Sequence, residues 1–345
     1  MGSIGKSPTG VLLVGSIPLS TPEEVFTTIP PTLAPGKLHS LPDGEPGERD
    51  TYIWWQRERF PAESRRFNPV CAGTELPADH PGFTNDSIPP TGYGDAAVSS
   101  WNTFGQMQKE GKIPEGLRFQ VSLPMPQDCI QFYLRDELQD VLGPVYEQRM
   151  KESVTQITET VPAEKLAIQW DIAVLPTAME YEKGRAGRLP AELFQIPFKP
   201  LKEGFVNRLV PFCNMVPAGA SLGLHICYGD FEHTHHIQPE DTGVLVDIAN
   251  SFVKAVGRPI NWIHMPVPKD RDDDAYFAPL KNLDIGDTKL YLGLLHAHDE
   301  EGTKRRIAQA QKVVSGFGVA TECGMGRYTV DEMHNLLQIS DSVTA

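Results

Sequence analysis

The sequence has few cysteines, a shortage of positive charge and no long apolar run, and each shortage argues against a class of protein. Its five cysteines are odd in number and widely spaced over 345 residues, which indicates thiols in a reducing compartment and not a disulfide framework. A formal net charge of -14 disfavours a nucleic-acid partner, because phosphates require a basic surface. The longest early apolar stretch, Val11 to Leu19, is interrupted by Gly15 and Pro18 and is too short to span a membrane.

Targeting and nucleotide-binding signals are also missing. The first residues lack the charged approach and cleavage pattern of a signal peptide, so we predict a cytoplasmic protein with no membrane partner. No Gly-x-Gly-x-x-Gly follows the first apolar run, which weakens a dinucleotide-binding interpretation. No pattern in the chain specifies an oligomeric state.

Apolar runs and helical stretches alternate about eight times along the chain. Strands are predicted at 10–16, 37–42, 117–123, 166–172, 222–228, 259–265, 288–295 and 317–322. Helices are predicted at 23–29, 51–63, 96–110, 130–160, 205–215, 239–256, 300–314 and 330–339, the last with Thr329 as its N-cap.

This alternation predicts an α/β fold, a (β/α)8 TIM barrel in a single domain over residues 1–345. A doubly wound open sheet is the alternative. The Pro/Gly-rich stretch from Phe67 to Gly94, after the second strand, is predicted to be a long excursion that covers one end of the barrel.

Nitrogen and sulfur ligands fall at the ends of three predicted strands. His225 and Cys227 are two residues apart in one strand, so their side chains project to the same face. His264 closes the next strand and Cys323 the last, and active sites of such barrels lie at these strand ends. Because Zn²⁺ prefers nitrogen and sulfur ligands, the four residues predict a zinc site.

Further polar residues follow the same ends of other strands and are candidates for substrate binding or catalysis. They are Ser16, Asp43, Asp171, His296, His298 and Glu322. The remaining cysteines, at positions 71, 129 and 213, are interpreted as small buried core residues.

Several of these segments resemble the catalytic barrel of cobalamin-independent methionine synthase. Val14-Gly-Ser-Ile-Pro18 is similar to the opening of that barrel, and His225-Ile-Cys-Tyr228 is similar to its zinc motif. Glu322-Cys-Gly-Met-Gly-Arg327 resembles the segment that supplies a further zinc thiolate. Gln169-Trp-Asp171 falls where the family has an aspartate that binds the amino group of homocysteine. Gly293-Leu-Leu-His-Ala-His298 resembles the segment with its catalytic histidine, and His298 is the better match by spacing.

The chain also departs from that family. His264 stands where the synthases have a glutamate zinc ligand, which would give a set of two histidines and two cysteines. The Asp-Glu-Pro of the synthases is Asp171-Ile-Ala here, and the tryptophan that helps to hold folate is missing from 122–126. The resemblance therefore implies a related reaction without folate as the methyl donor.

Together these features predict a zinc-dependent transferase that activates a small-molecule thiol for transfer of an alkyl or methyl group from a donor. His298 would manage the proton of the leaving group, Asp171 and Ser16 would anchor the acceptor, and Asp43, Glu322 and His296 would contact substrate. Uroporphyrinogen decarboxylase shares the superfamily fold, so a metal-free decarboxylase or lyase is an alternative. In that case carboxylates of the substrate would be held by Arg49, Arg185 or Arg188. A catalytically decayed binding protein is the third possibility.

Overall fold

A curled sheet of seven parallel strands forms the centre of the protein. The structure is a computed structural model that describes residues 7–50, 53–230 and 234–345. The strands lie side by side in the order β1, β4, β5, β6, β7, β8 and β9. Their bounds are β1 Ser40–Pro42, β4 Arg118–Pro124, β5 Leu166–Ile172, β6 Ser221–Ile226, β7 Trp262–Pro266, β8 Lys289–Leu295 and β9 Gly318–Thr321. Two short strands, β2 Phe67–Asn68 and β3 Cys71–Ala72, form an antiparallel pair outside this sheet.

Helices connect the parallel strands and pack against them and against one another. They are α1 Pro22–Thr28, α2 Tyr93–Lys109, α3 Pro126–Tyr133, α4 Gln139–Thr160, α5 Val174–Glu182, α6 Leu201–Met215, α7 Gly243–Ala255, α8 Asp274–Phe277, α9 Glu300–Ala310 and α10 Val330–Val343. The prediction at Thr329 is confirmed, because its side chain and that of Glu332 form a reciprocal capping box at the start of α10. No helix in the described ranges is both long and apolar enough to cross a membrane.

The predicted first strand is the exception to the regular sheet. Residues 9–12 hydrogen-bond on one side to Lys37 and on the other to Phe317 and Val319, so they lie between the two edges of the sheet. Only Val11 forms bridges there, to Leu38 and Val319. The predicted barrel is thus confirmed as a curled parallel sheet with helices around it, but a closed ring of eight regular strands is not what the structure has.

Side chains from inside the sheet explain why the first strand ends so early. The carbonyl of Leu13 accepts a hydrogen bond from Gln120 Nε2 (2.9 Å), and that of Val14 accepts one from Gln169 Nε2 (2.6 Å). These glutamines are buried on β4 and β5. Because side-chain amides occupy carbonyls that a neighbouring strand would otherwise use, residues 13–16 are held in place without forming a ladder.

The predicted helix at 130–160 is two helices in the structure. Leu134 is extended (φ -97°, ψ 133°) and ends α3. The chain here pairs with residues 64–66, since Arg66 N–H donates to Tyr133 O (2.8 Å) and Arg135 N–H donates to Ser64 O (3.0 Å). Long-range pairing therefore overrides local helix preference.

Three further helices differ between the sequence prediction and the structure. The predicted helix at 51–63 is a 3₁₀ helix over Trp54–Arg59, and residues 51–52 lie outside the described ranges. The sequence interpretation missed α5 and α8. In α5 the residues are nearly all buried, so there is no polar face to produce a helical period.

Candidate functional site

Three of the predicted site residues lie in one row across the sheet. In the parallel register Asp171 of β5 is opposite His225 of β6, and His225 is opposite His264 of β7. All three side chains are buried. Since residues in register on neighbouring strands point to the same face, the row brings one carboxyl and two imidazoles together near the strand ends.

The two imidazoles hydrogen-bond to each other. His225 Nδ1 lies 2.6 Å from His264 Nδ1, and His264 Nε2 lies 3.0 Å from Thr321 O. Burial lowers the pKa of His264 to about 3 and that of His225 well below its usual range, so both rings are neutral. A carbonyl only accepts, so His264 Nε2 donates to it, and His264 Nδ1 must accept from His225 Nδ1–H. This leaves His225 Nε2 with a free lone pair.

That lone pair faces the thiols. Cys323 Sγ is 3.8 Å from His225 Nε2, and the side chain of Cys227 hydrogen-bonds to that of Cys323. This bond raises the pKa of Cys227 and lowers that of Cys323. Cys323 is therefore the sulfur that becomes a thiolate first, with the Cys227 S–H as its donor. All five cysteines of the chain are free thiols.

The spacing of these donors can be compared with that of zinc ligands. Nitrogen and sulfur bound to one tetrahedral zinc are about 3.6 Å apart, and two nitrogens about 3.3 Å. The 3.8 Å between His225 Nε2 and Cys323 Sγ is close to the first value. As the side chains stand, no group of three His, Cys, Asp or Glu in the described part of the chain is arranged to hold a metal ion. The donor chemistry fits zinc once the proton shared by the two sulfurs is lost.

His264 does not fit the ligand role predicted for it. Its Nδ1 is 2.6 Å from His225 Nδ1, which is too close for two nitrogens on one zinc, and its Nε2 is engaged with Thr321. Both of its ring nitrogens are thus used within the protein. The arrangement makes His264 the residue that fixes the ring of His225, and it leaves three donors, on His225, Cys227 and Cys323.

His225, Cys227 and Cys323 line a pocket that also contains two carboxyls, those of Asp171 and Glu45. Asp171 accepts a hydrogen bond from Gln169 Nε2 (2.9 Å), and burial raises its pKa well above the usual range. Burial also raises the pKa of Glu45 to about 8, against the opposing effect of Arg49. Glu45 has a left-handed backbone (φ 54°) and its N–H donates to Asp43 Oδ1 (2.9 Å), which directs this segment into the pocket.

The raised pKa of Glu45 predicts a pH-dependent contribution to stability. The fold favours the protonated form, so this contribution is complete below the unfolded pKa near 4.5 and is lost as the pH rises through about 8. We expect Glu45→Gln, which stays neutral, to become progressively more stable than the wild type between pH 5 and pH 8. Urea unfolding across this range measures the difference, and the same change at the exposed Glu164 is the matched control. A pH-independent difference for Glu45→Gln would contradict the assignment.

Ser16 and Asp43 have mainly structural partners. Ser16 Oγ accepts from Gly326 N–H (3.2 Å) and Ser16 O accepts from Met325 N–H (2.6 Å), so Ser16 holds the loop that follows Cys323. It also lines the pocket. Asp43 is buried, accepts from Arg49 and Ser100, and lies behind the pocket, where it holds Arg49 in place.

Glu322, His296 and His298 are not among the residues that line the pocket. Glu322 lies 3.3 Å from His235 and 3.6 Å from His296, whose Nε2 donates to Val267 O. Burial raises the pKa of Glu322 and lowers that of His296 to about 3, so this neighbouring cluster is neutral. His298 has a left-handed backbone (φ 57°) and is exposed, so the structure does not bring it to the thiols.

The pocket encloses about 830 Å³, including the space at its open mouth. Its lining includes residues to which the sequence interpretation gave no role in the preferred mechanism, above all Asp230 and Arg327, which form an ion pair, and His236. Asp230 follows β6, just as the predicted site residues follow their own strands. This position after a strand could have identified Asp230 from the sequence. His233 of the same segment lies outside the described residues.

Comparisons with known proteins agree with this architecture. No protein-family model and no curated protein sequence matches the chain. Among solved structures, a B12-independent methionine synthase from Shewanella sp. W3-18-1, in complex with selenomethionine, is similar with a TM-score of 0.54 and 12% identity, over 98% of this chain and 94% of that one. A putative vitamin-B12-independent methionine synthase from Listeria monocytogenes is similar with a TM-score of 0.53 and 14% identity, over 99% of both chains. The resemblance predicted from the sequence is thus confirmed for the fold, which this chain shares with both of these proteins over nearly its whole length.

Proposed function

We propose that the protein is a zinc-dependent transferase that activates a substrate thiol for transfer of an alkyl or methyl group. The observation that carries the proposal is the convergence of His225 Nε2, Cys227 and Cys323, with 3.8 Å between His225 Nε2 and Cys323 Sγ. Three protein donors leave a fourth tetrahedral position for a substrate, as catalytic zinc requires. The fold shared with proteins described as B12-independent methionine synthases supports the same reaction class.

Zinc bound to these donors would supply a Lewis acid that keeps a substrate thiol deprotonated at neutral pH. In the reaction the substrate sulfur loses its proton to solvent and forms a bond to the carbon that is transferred. The bond between that carbon and its donor breaks, and the leaving group keeps the electron pair and takes up a proton. We assign that proton to Asp171, because this residue lines the pocket and burial raises its pKa and so favours the protonated form.

Asp171 takes over the role that the sequence predicted for His298. Gln169 orients the carboxyl by donating to Asp171 Oδ1, and the same amide also donates to Val14 O. The acid is therefore fixed to the barrel interior, whereas His298 is exposed. The proposal does not include folate, in keeping with the missing tryptophan in 122–126.

The placement of cations disfavours the alternative of a decarboxylase acting on a polyanion. Of the arginines suggested for that role, Arg49 is held by Asp43 and Arg185 by Glu180 and Glu240, and neither lines the pocket. Arg327 does line it but pairs with Asp230. A substrate with several carboxylates would find no cluster of available guanidinium groups among the described lining residues.

The metal content of tag-free protein, measured by elemental mass spectrometry, tests the proposal. We expect about one zinc per chain, as for a single three-donor site. Exchange for Co²⁺ should give thiolate-to-metal charge-transfer absorption, since two of the donors are sulfurs. A folded protein that binds neither metal at micromolar concentration would overturn the proposal.

The inferred role of His264 gives a separate prediction. We expect His264→Gln to lower zinc affinity by about 10- to 100-fold, the usual effect of losing a group that orients a histidine ligand, while saturating zinc still loads the site. Competition with a chromogenic chelator measures the change.

The matched control for this variant is His39→Gln, because His39 is exposed and precedes β1 at the opposite end of the strands. Its zinc affinity should equal that of the wild type. If His264→Gln instead fails to load zinc even at saturation, His264 is a ligand and the positioning role is wrong.

A further inference from the structure

The wall of the pocket that faces the thiols is apolar and is built from separate parts of the chain. The 3₁₀ helix after residue 52, the β2–β3 hairpin, α3 and the loop after α5 each contribute to it. The contributing side chains are Ile53, Trp54, Val70, Phe132 and Leu189. All are buried except Trp54, whose exposed fraction is 40% and which stands at the mouth.

This wall is an addition to the barrel and not part of its interior. Val70 belongs to the excursion and Trp54 to the 3₁₀ helix before it, and Phe132 packs edge-on against Phe194, with ring centroids 5.7 Å apart. Phe132 also contacts His236, which lies beside the thiols in the pocket. The apolar wall and the donor residues thus line one and the same pocket.

Positive charge is scarce among the described residues that line the pocket. Among the described lining residues the one cation is Arg327, and its guanidinium pairs with Asp230. Arg49, just outside, is held by both oxygens of Asp43 (3.3 and 2.7 Å). The sequences of 51–52 and 231–233 contain no lysine or arginine. A carboxylate or phosphate carried into this pocket would lose its hydration and gain at most the unpaired Nε of Arg327, next to the carboxylate of Asp230, which is unfavourable.

We infer that the thiol substrate carries an uncharged apolar body, aryl or branched alkyl, which lies against Trp54, Phe132 and Leu189. The inference rests on the proposed function, because only the thiol end of the molecule is defined by the metal donors. The wall and the donor residues line the same pocket, so a molecule bound through its sulfur would lie against this wall.

Four matched probes test this substrate class by isothermal titration calorimetry on the zinc-loaded protein. They are benzyl mercaptan, its para-carboxylate, its para-aminomethyl derivative and benzyl alcohol, which has no sulfur. We expect benzyl mercaptan to bind at least about tenfold more tightly than either charged thiol, because the para substituent, at the end opposite the sulfur, would lose its hydration against the apolar wall. We also expect it to bind more tightly than benzyl alcohol, because a thiol becomes a thiolate ligand of zinc far more readily than an alcohol loses its proton.

The outcomes separate the inference from the function on which it rests. If a charged thiol binds as tightly as benzyl mercaptan, and both bind more tightly than benzyl alcohol, the apolar substrate class is wrong but the thiol function stands. If benzyl mercaptan and benzyl alcohol bind equally, and more tightly than the charged thiols, the apolar pocket stands and the thiol function fails. Absence of binding by every probe at about 5 mM overturns the inference.

A variant pair locates the binding surface. Phe132→Ala should weaken the binding of benzyl mercaptan by about tenfold, through loss of apolar contact. The binding of ethanethiol should be unchanged, because this thiol is too short to reach the wall. Phe198→Ala is the control, since Phe198 packs on Phe205, away from the pocket lining. Equal weakening of both thiols by Phe132→Ala would contradict the proposed position of the apolar body.

Discussion

Replacing Cys323 with serine is expected to remove zinc from the protein and to slow group transfer by about 10³-fold or more. One of three donors is lost, and its hydroxyl is a poor substitute for a thiolate. Metal catalysis is worth several kcal/mol of transition-state stabilisation, and each 1.36 kcal/mol is a factor of ten in rate. Elemental mass spectrometry of tag-free wild type and variant, side by side, gives the zinc content.

Cys213→Ser is the control for this experiment. Cys213 is buried in α6 far from the pocket lining, and burial raises its pKa to about 12. The control should keep its zinc although it introduces the same hydroxyl. Equal zinc content in Cys323→Ser and wild type would show that Cys323 is an ordinary core thiol and would contradict the site described above.

Gly223→Ala is expected to destabilise the protein by about 3 kcal/mol, the upper end of the usual cost of overpacking a core. A Cβ at this position would overlap the ring of Trp262, which is opposite Gly223 in the register of β6 and β7. Trp262 is buried inside the sheet, and its Nε1 donates to Gln169 Oε1 (3.1 Å), so the ring cannot turn away without breaking that bond. Urea unfolding measures the change.

Gly116→Ala provides the contrast, because no atom lies within 4 Å of the Cβ that would be added there. This change should be neutral or slightly stabilising, since alanine restricts the unfolded chain. The double variant Gly223→Ala with Trp262→Leu should recover part of the loss if the overlap is its cause. A single variant as stable as the wild type would mean that the interior accommodates the methyl group and that the predicted overlap is not real.

The strands were predictable because parallel strands buried on both faces give apolar runs that end at recognisable polar residues. Seven predicted strands coincide with β1 and β4 to β9 to within a few residues. The first could not be predicted in detail, because its geometry depends on Gln120 and Gln169, which are more than a hundred residues away in the sequence. The break between α3 and α4 has the same kind of cause, a pairing with residues 64–66.

For the candidate site, the sequence predicted which side chains lie close together better than it predicted the role of each one. Strand-end positions predicted that His225, Cys227, His264 and Cys323 would meet, and they do. The roles of the ring nitrogens of His264 and His225 depend on the hydrogen bond from His264 Nε2 to Thr321 O. A backbone carbonyl is present in every residue, so the sequence cannot show which one accepts this bond. The apolar wall was also beyond prediction, because it combines residues from four segments that show no common pattern.

The first and last parts of the sheet meet at Val11, where two bridges replace a full strand. Cys323 and Ser16 lie just beyond this seam and are tied together through Gly326 and Met325. A thermal fluctuation that parts the seam would therefore separate Cys323 from Ser16, whereas Cys323 and His225 would stay connected through β7 and β8. Zinc that joins His225 of β6 to Cys323 after β9 would instead span β7 and β8 and favour the curled form of the sheet, so that metal binding and sheet curvature would be linked equilibria.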